Sequence, residues 1–438
     1  MRVITHVGWL TVAAVLVACL PGCAPTGSVK NRVITPHYDI RIDAQAPNTA
    51  KVTLTLPHFD PLDPAVPRLI STGEQAGTHL QLHDIRCDGK PLKTSGRGQW
   101  DLPLTCKTAS WTMDFKAVGP EGIVASKRQS LHLKTPKDWW IISGPSSLLR
   151  LQPAPERVDV VIAAPNRQLV LETMPGLKLP PAYFVVGDAP SHTVKTNGLS
   201  LTYIADDLKR IETTVHVADH MRGLDYFRRI LNSANYGDIP KDLTVVWLGI
   251  ARNKGESGGA AGYDTLLVNY IKSGGPPQKR DLLLPLATVL HEQFHQLTRG
   301  NLPAWVNESL ANYYAFKALG RIYPDQADVA AARSAFLRPN AKIDLGLIDV
   351  QRRIEKDHDF SKYSLFYTQG AAFWQAVNQA LVKATNGGKS LDDVLPAIMT
   401  SSYSDDVILP PHVEDALSAI PKAELNALVA KYLKGVHG

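Results

Sequence analysis

The sequence predicts an α+β fold, with a β-sandwich-like N-terminal domain followed by a mostly helical one. Three observations carry this. From about residue 33 to 200, apolar and polar residues alternate in short runs, with Pro and Gly about every ten residues. Near residue 201 the apolar spacing changes to steps of three and four. The 438 residues, 44% hydrophobic and 20% charged, are enough for two or three packed cores and do not read as disordered.

Residues 1–22 read as a signal peptide. Arg2 is the only charge, and Val7 to Leu20 is an apolar stretch too short to favour a spanning helix. LPGC (20–23) resembles the lipobox of bacterial lipoproteins, in which the cysteine is lipidated. That resemblance implies an anchor on Cys23, a tether over 23–32, and a place on the periplasmic face of the envelope, attached to the outer membrane. An ordinary secretory signal is the alternative. A net charge of +6 with no basic run interleaved with aromatics gives no argument for nucleic acid.

The β-rich domain spans 33–200. HYDIRIDAQAPNTAKVTLTLP (37–57) alternates around a turn, and WTMDFKAV, RVDVVIAA and QLVLETM repeat the pattern. Cys87 and Cys106 fall here. In an exported chain this pair suggests a disulfide, two buried thiols being the alternative. The region shows no constellation of catalytic type and reads as a packing and presentation domain.

The second domain spans 201–438. ADDLKRIETTVHVADHMRGLDYFRRIL has helical spacing. LTVVWLGI (243–250) reads as a buried strand, and a glycine-rich loop, KGESGGAAGYDTLLVNY, leads into another at 264–270. The next helix, DLLLPLATVLHEQFHQLTR (281–299), carries an apolar stripe of Leu283, Leu286, Leu290, Phe294 and Leu297. His291 and His295 are four apart and share one face, where two imidazoles can bind one ion. Glu292 follows the first ligand, within reach of a water on that ion. By composition, HExxH arises by chance in about one chain of this length in a hundred.

A third ligand comes from NLPAWVNESLANYYAFKALG, which opens with a proline near its first helical position and ends at a glycine. Twelve residues separate His295 from Glu308, enough for a turn and an antiparallel return. Two histidines and a glutamate leave zinc an open position, the catalytic arrangement. Asn312 reads either as a partner orienting a ligand or as an ordinary polar position.

HEQFHQL followed by WVNESLANYY resembles the gluzincin metallopeptidases, whose catalytic domain is thermolysin-like. FYTQGAAFWQAVNQALVKATNGGKSLDDVL (366–395) and ELNALVAKYLKGVHG (424–438) are similar to segments of one branch, the glycyl aminopeptidase family, as a catalytic unit without its PDZ domain. The resemblance implies one Zn2+ on His291, His295 and Glu308, Glu292 as general base, and Tyr367 donating to the oxyanion. Tyr363 is a nearby competitor for that last role. It also implies a peptide or protein substrate, held by Gly258, Gly259, Ala260 and Ala261 and by β-addition to the strand after the loop. The family carries a glutamate after its paired glycines to hold a free substrate amine; GGAAG (258–262) has alanines there, and Glu256 lies just upstream. Zinc-dependent, aminopeptidase-like hydrolysis in the envelope is the expectation. An endopeptidase, or an inactive lipoprotein using the fold for binding, is the alternative.

Overall fold

In the strand His37–Asp43, Tyr38, Ile40 and Ile42 are buried and the residues between them are not, the alternation that a half-covered sheet demands. The computed structural model describes residues 35–435 except 61–65, 76–77, 156, 166–168, 197, 214–215, 234–239, 253–256, 273–278, 300–301, 324–326, 328, 332–343 and 404–407. The expected leader (1–22) and tether (23–32), with Cys23, and Glu256 lie outside the described residues.

His37–Asp43 pairs antiparallel with Ala46–Thr55 and parallel with Arg157–Ala163 at the centre of a seven-stranded sheet. Two four-stranded sheets complete the β-rich region, and Trp111, Trp140, Ile142, Phe184 and Leu151 share its core. The sulfurs of Cys87 and Cys106 stand 2.19 Å apart. Beside them the Asp88 carboxylate accepts backbone hydrogen bonds from Lys107 and Thr108, the latter at 2.9 Å.

DWWIIS (138–143) explains how the β-rich and helical regions join. From Trp139 on, the strand Asp138–Ser143 is buried without interruption. Trp140 and Ile142 belong to the sandwich core, whereas Trp139 and Ile141 pack with Val246, Leu248 and Leu267 of the next sheet. A strand covered on both faces needs a continuous apolar run. Ile34–Gly438 accordingly forms one compact unit.

The helical region has a five-stranded sheet of its own, hereafter the second sheet, which runs Ser191–Thr196, Leu199–Ala205, Asp242–Ala251, Thr265–Lys272, Gly259–Ala260. Its first hairpin brackets residue 200. Leu199–Ala205, Asp242–Ala251 and Thr265–Lys272 are parallel, and the helix His216–Ser233 makes the crossover between the first two. The strand after the glycine loop does not offer the free edge expected of it. Gly259 and Ala260 fold back antiparallel onto Val268 and Leu267 and form the outer strand themselves. The helices that follow bury Leu286, Leu290, Phe294, Trp305, Tyr314 and Trp374 in one core. Among the described residues no helix is long and apolar enough to cross a membrane.

Candidate active site

The stripe on the helix Lys279–Thr298 is buried along its length, which turns His291, Glu292 and His295 toward a cleft of about 880 Å³. The next helix, Ala304–Ile322, packs antiparallel to Lys279–Thr298. Trp305 stacks on Trp374 with ring centroids 6.0 Å apart, and Phe294 stacks on Tyr314 at 4.9 Å. The Phe294–Tyr314 stack joins the two helices, with Glu308 facing the histidines, while the Trp305–Trp374 stack holds the second of them against the helix Ala371–Ala384.

Nε2 of His291 and Nε2 of His295 are 2.9 Å apart, and Oε2 of Glu308 is 3.2 Å from each. The three are grouped as donors that could hold a metal ion. Asn312 donates from Nδ2 to the Tyr367 carbonyl at 3.0 Å, so its Oδ1 meets Nδ1 of His291, at 2.8 Å. Asn307 Oδ1 meets Nδ1 of His295 at 3.1 Å. An amide oxygen only accepts, so each Nδ1 carries the proton and each Nε2 presents a lone pair. Three electron-pair donors thus converge, at separations close to the roughly 3.3 Å expected around a tetrahedral zinc with bonds of about 2.0–2.1 Å. The residues fit a divalent cation. Burial pulls the His295 pKa down, but Glu308 beside it outweighs this and holds it above the ordinary value. Burial pushes Glu308 up, but His295 and His291 outweigh this and hold it well below the usual carboxylate range.

The structure separates the two tyrosines. Tyr363 donates its hydroxyl to Oε1 of Glu308 at 2.7 Å. Tyr367, one helical step on in a π-helical turn (Phe366–Gly370), lays its ring 5.7 Å from that of His291 and lines the cleft. Burial, and then Glu308, push the Tyr367 pKa well above the ordinary value, so its phenol stays a proton donor.

Glu292 lies against the glycine loop. A Cβ on Gly259 would come within 2.4 Å of its Cγ and 2.7 Å of its Oε1. Gly259 and Ala261 line the cleft; Gly258 and Ala260 do not. Strand alternation turns Ala260 into the core shared with Ile123 and Val246. Gly258 backs onto Ser126, whose Oγ would stand 2.7 Å from an added Cβ.

Sequence reasoning missed Asn307, which neighbours Glu308 in the same motif, and everything that the β-rich region contributes. Ser126, Lys127, Arg128 and Gln129 line the cleft opposite the histidines. They are held there by Asn269, buried in the second sheet. Its Oδ1 accepts from the amides of Ala125 (2.8 Å) and Gly258 (3.1 Å). Its Nδ2 donates to the carbonyls of Ile123 (2.8 Å) and Leu248 (3.0 Å). A second cluster of donors, Cys87, Asp88 and Cys106, has its two sulfurs bonded to each other and offers no thiolate.

The fold is that of a solved aminopeptidase N family protein from Idiomarina loihiensis. The two superimpose with a TM-score of 0.62 at 12% identity, over 83% of this chain and 70% of that one. No protein-family model and no curated protein matches the sequence.

Proposed function

We propose that this chain is a zinc-dependent peptide hydrolase of the gluzincin type, similar to the glycyl aminopeptidases. The observation that carries the reading is the convergence of three lone-pair donors in one cleft with the Glu292 carboxylate and a protonated phenol. His291, His295 and Glu308 would hold the metal. Bound zinc supplies Lewis-acid polarisation of the scissile carbonyl and acidifies a water. Glu292 takes a proton from the attacking water and delivers it to the leaving amine. Tyr367 donates its hydroxyl to the carbonyl oxygen as negative charge develops there. The outer strand Gly259–Ala260 and Ala261 would hold an extended substrate backbone, a reading supported by Gly259 and Ala261 lining the cleft. The leader and the lipobox-like LPGC support export and a lipid anchor on Cys23, on the periplasmic face of the outer membrane.

Metal analysis and peptide hydrolysis by the wild type and Glu292→Gln test this. We expect one zinc per chain in both and loss of at least about a hundredfold in turnover in the variant. Protein without stoichiometric zinc, or a variant that cleaves as well as the wild type, removes the reading.

A further inference from the structure

The charge of the cleft wall does not suit a positively charged substrate end. Among the described residues lining it, Lys127, Arg128, Lys178 and Arg299 are basic and only Glu292 and Glu308 are acidic. Both carboxylates have other work. Glu308 faces two histidines and accepts from Tyr363. Glu292 is the proton carrier in the reading above. A substrate ammonium would therefore meet no uncommitted carboxylate among these residues and several cations.

The four cations are not equivalent. Lys127 and Lys178 are exposed at the rim. Arg299 is already paired, donating to Asp264 at 3.0 Å and to the Tyr263 carbonyl at 2.9 Å. Arg128 is different. Burial pulls its guanidinium down, but the Tyr183, Glu292, Tyr363 and Glu308 side chains outweigh this and hold it above the ordinary value, and among the described residues the guanidinium makes no hydrogen bond. Its backbone is pinned on both sides. Its amide donates to Ala125 at 3.0 Å, and its carbonyl accepts from Ser143 Oγ at 2.5 Å. It holds φ +52°, a conformation rare outside glycine. Close by, the Tyr183 hydroxyl is buried without a hydrogen-bond partner among the described residues, and Arg128 and Glu292 both act on it. A charged, forked donor on a pinned backbone, with its hydrogen-bonding positions open among the described residues and lining the same cleft as His291, Glu292, His295 and Glu308, matches a carboxylate.

We propose that Arg128 is a carboxylate receptor, selecting peptides with an anionic group beside the scissile bond. That group is an acidic side chain or a C-terminal carboxylate. The inference rests on the hydrolytic reading and gives it a substrate class.

The test uses the full chain with zinc and four N-acetylated peptides of equal length. Two place glutamate next to the scissile bond and two its glutamine isostere; one of each has a free C-terminus and one an amide. We expect an anionic peptide to exceed its neutral counterpart about tenfold or more in kcat/KM, mainly through KM. Which pair shows the gain distinguishes side chain from terminus. Arg128→Gln should abolish the preference and Arg128→Lys restore part of it. A wild type with no preference for the anion overturns the proposal, as does a preference that survives Arg128→Gln or an equal loss on all four peptides. If none of these blocked peptides is cleaved, the hydrolytic reading is decided instead on peptides with a free N-terminus, and this one is still decided. Calorimetry of metal-free wild type and Arg128→Gln with the same peptides should then show about tenfold tighter binding of the anion in the wild type alone. Equal binding overturns it. Matching thermal melts confirm that the variants fold.

Discussion

Tyr363 and Glu308 share a 2.7 Å hydrogen bond on the carboxylate oxygen that the histidines do not face. One oxygen of Glu308 is thus left for a metal while the other is held still. In the proposed mechanism Tyr363 acts on the metal ligand and Tyr367 on the substrate. Tyr363→Phe should weaken zinc binding about tenfold, and Tyr367→Phe should keep zinc while losing about a hundredfold in kcat. Chelator competition and steady-state kinetics on both variants check this; exchanged phenotypes would reverse the roles.

Asn312 and Asn307 fix the protonated nitrogen of each candidate histidine ligand. Replacing either with alanine frees a ring to rotate and to take the wrong tautomer. Zinc affinity should fall by about 10–100-fold for each. Unchanged affinity in a competition assay would show that helix packing alone orients the rings.

Gly259→Ala places a methyl against Cγ of Glu292. The carboxylate has to move while His291, His295 and Glu308 stay. We expect kcat to fall about tenfold or more with zinc content unchanged. Full activity would mean that Glu292 has room to act from another rotamer.

The Cys87–Cys106 bridge closes a loop with a sequence separation of 19. Converting both to serine should destabilise the chain by about 3 kcal/mol on the loop-entropy estimate. Denaturant unfolding measures it, and an unchanged midpoint refutes it.

Hydrogen bonds from the backbone of Lys107 and Thr108 hold the Asp88 carboxyl below its ordinary 3.8. A depressed carboxyl contributes stability in full above the unfolded value and loses it as pH falls through the folded one. Stability should therefore drop as pH falls below about 4, and Asp88→Asn should flatten that limb. Unfolding midpoints of both proteins between about pH 5 and pH 2 test the sign.

What the sequence disclosed depended on how locally each feature is encoded. The histidines, Glu292 and Glu308 sit on two consecutive helices with complete apolar stripes, so spacing alone brought them together. The outer strand Gly259–Ala260 has two residues, too few to show a period, so the sheet edge was expected one strand further on. Tyr363 and Tyr367 are four apart, and periodicity cannot divide their roles; the partner at Glu308 does. Arg128 carries no local signal at all. Its place depends on the wall of Trp139 and Ile141 packing onto Val246 and Leu248, a tertiary fact.

Asn269 has consequences for how this protein could be shortened or recombined. All four of its hydrogen-bonding positions are in use, two of them on residues of the β-rich region. A fragment beginning at the second sheet would keep every candidate metal ligand. It would also strand half of a buried amide and remove one bank of the cleft. On the proposed function, chemistry and recognition are therefore not separable cassettes in this chain. A transplant that carries the HEQFHQL helix without Ile123 to Gln129 would move the blade and leave the grip behind.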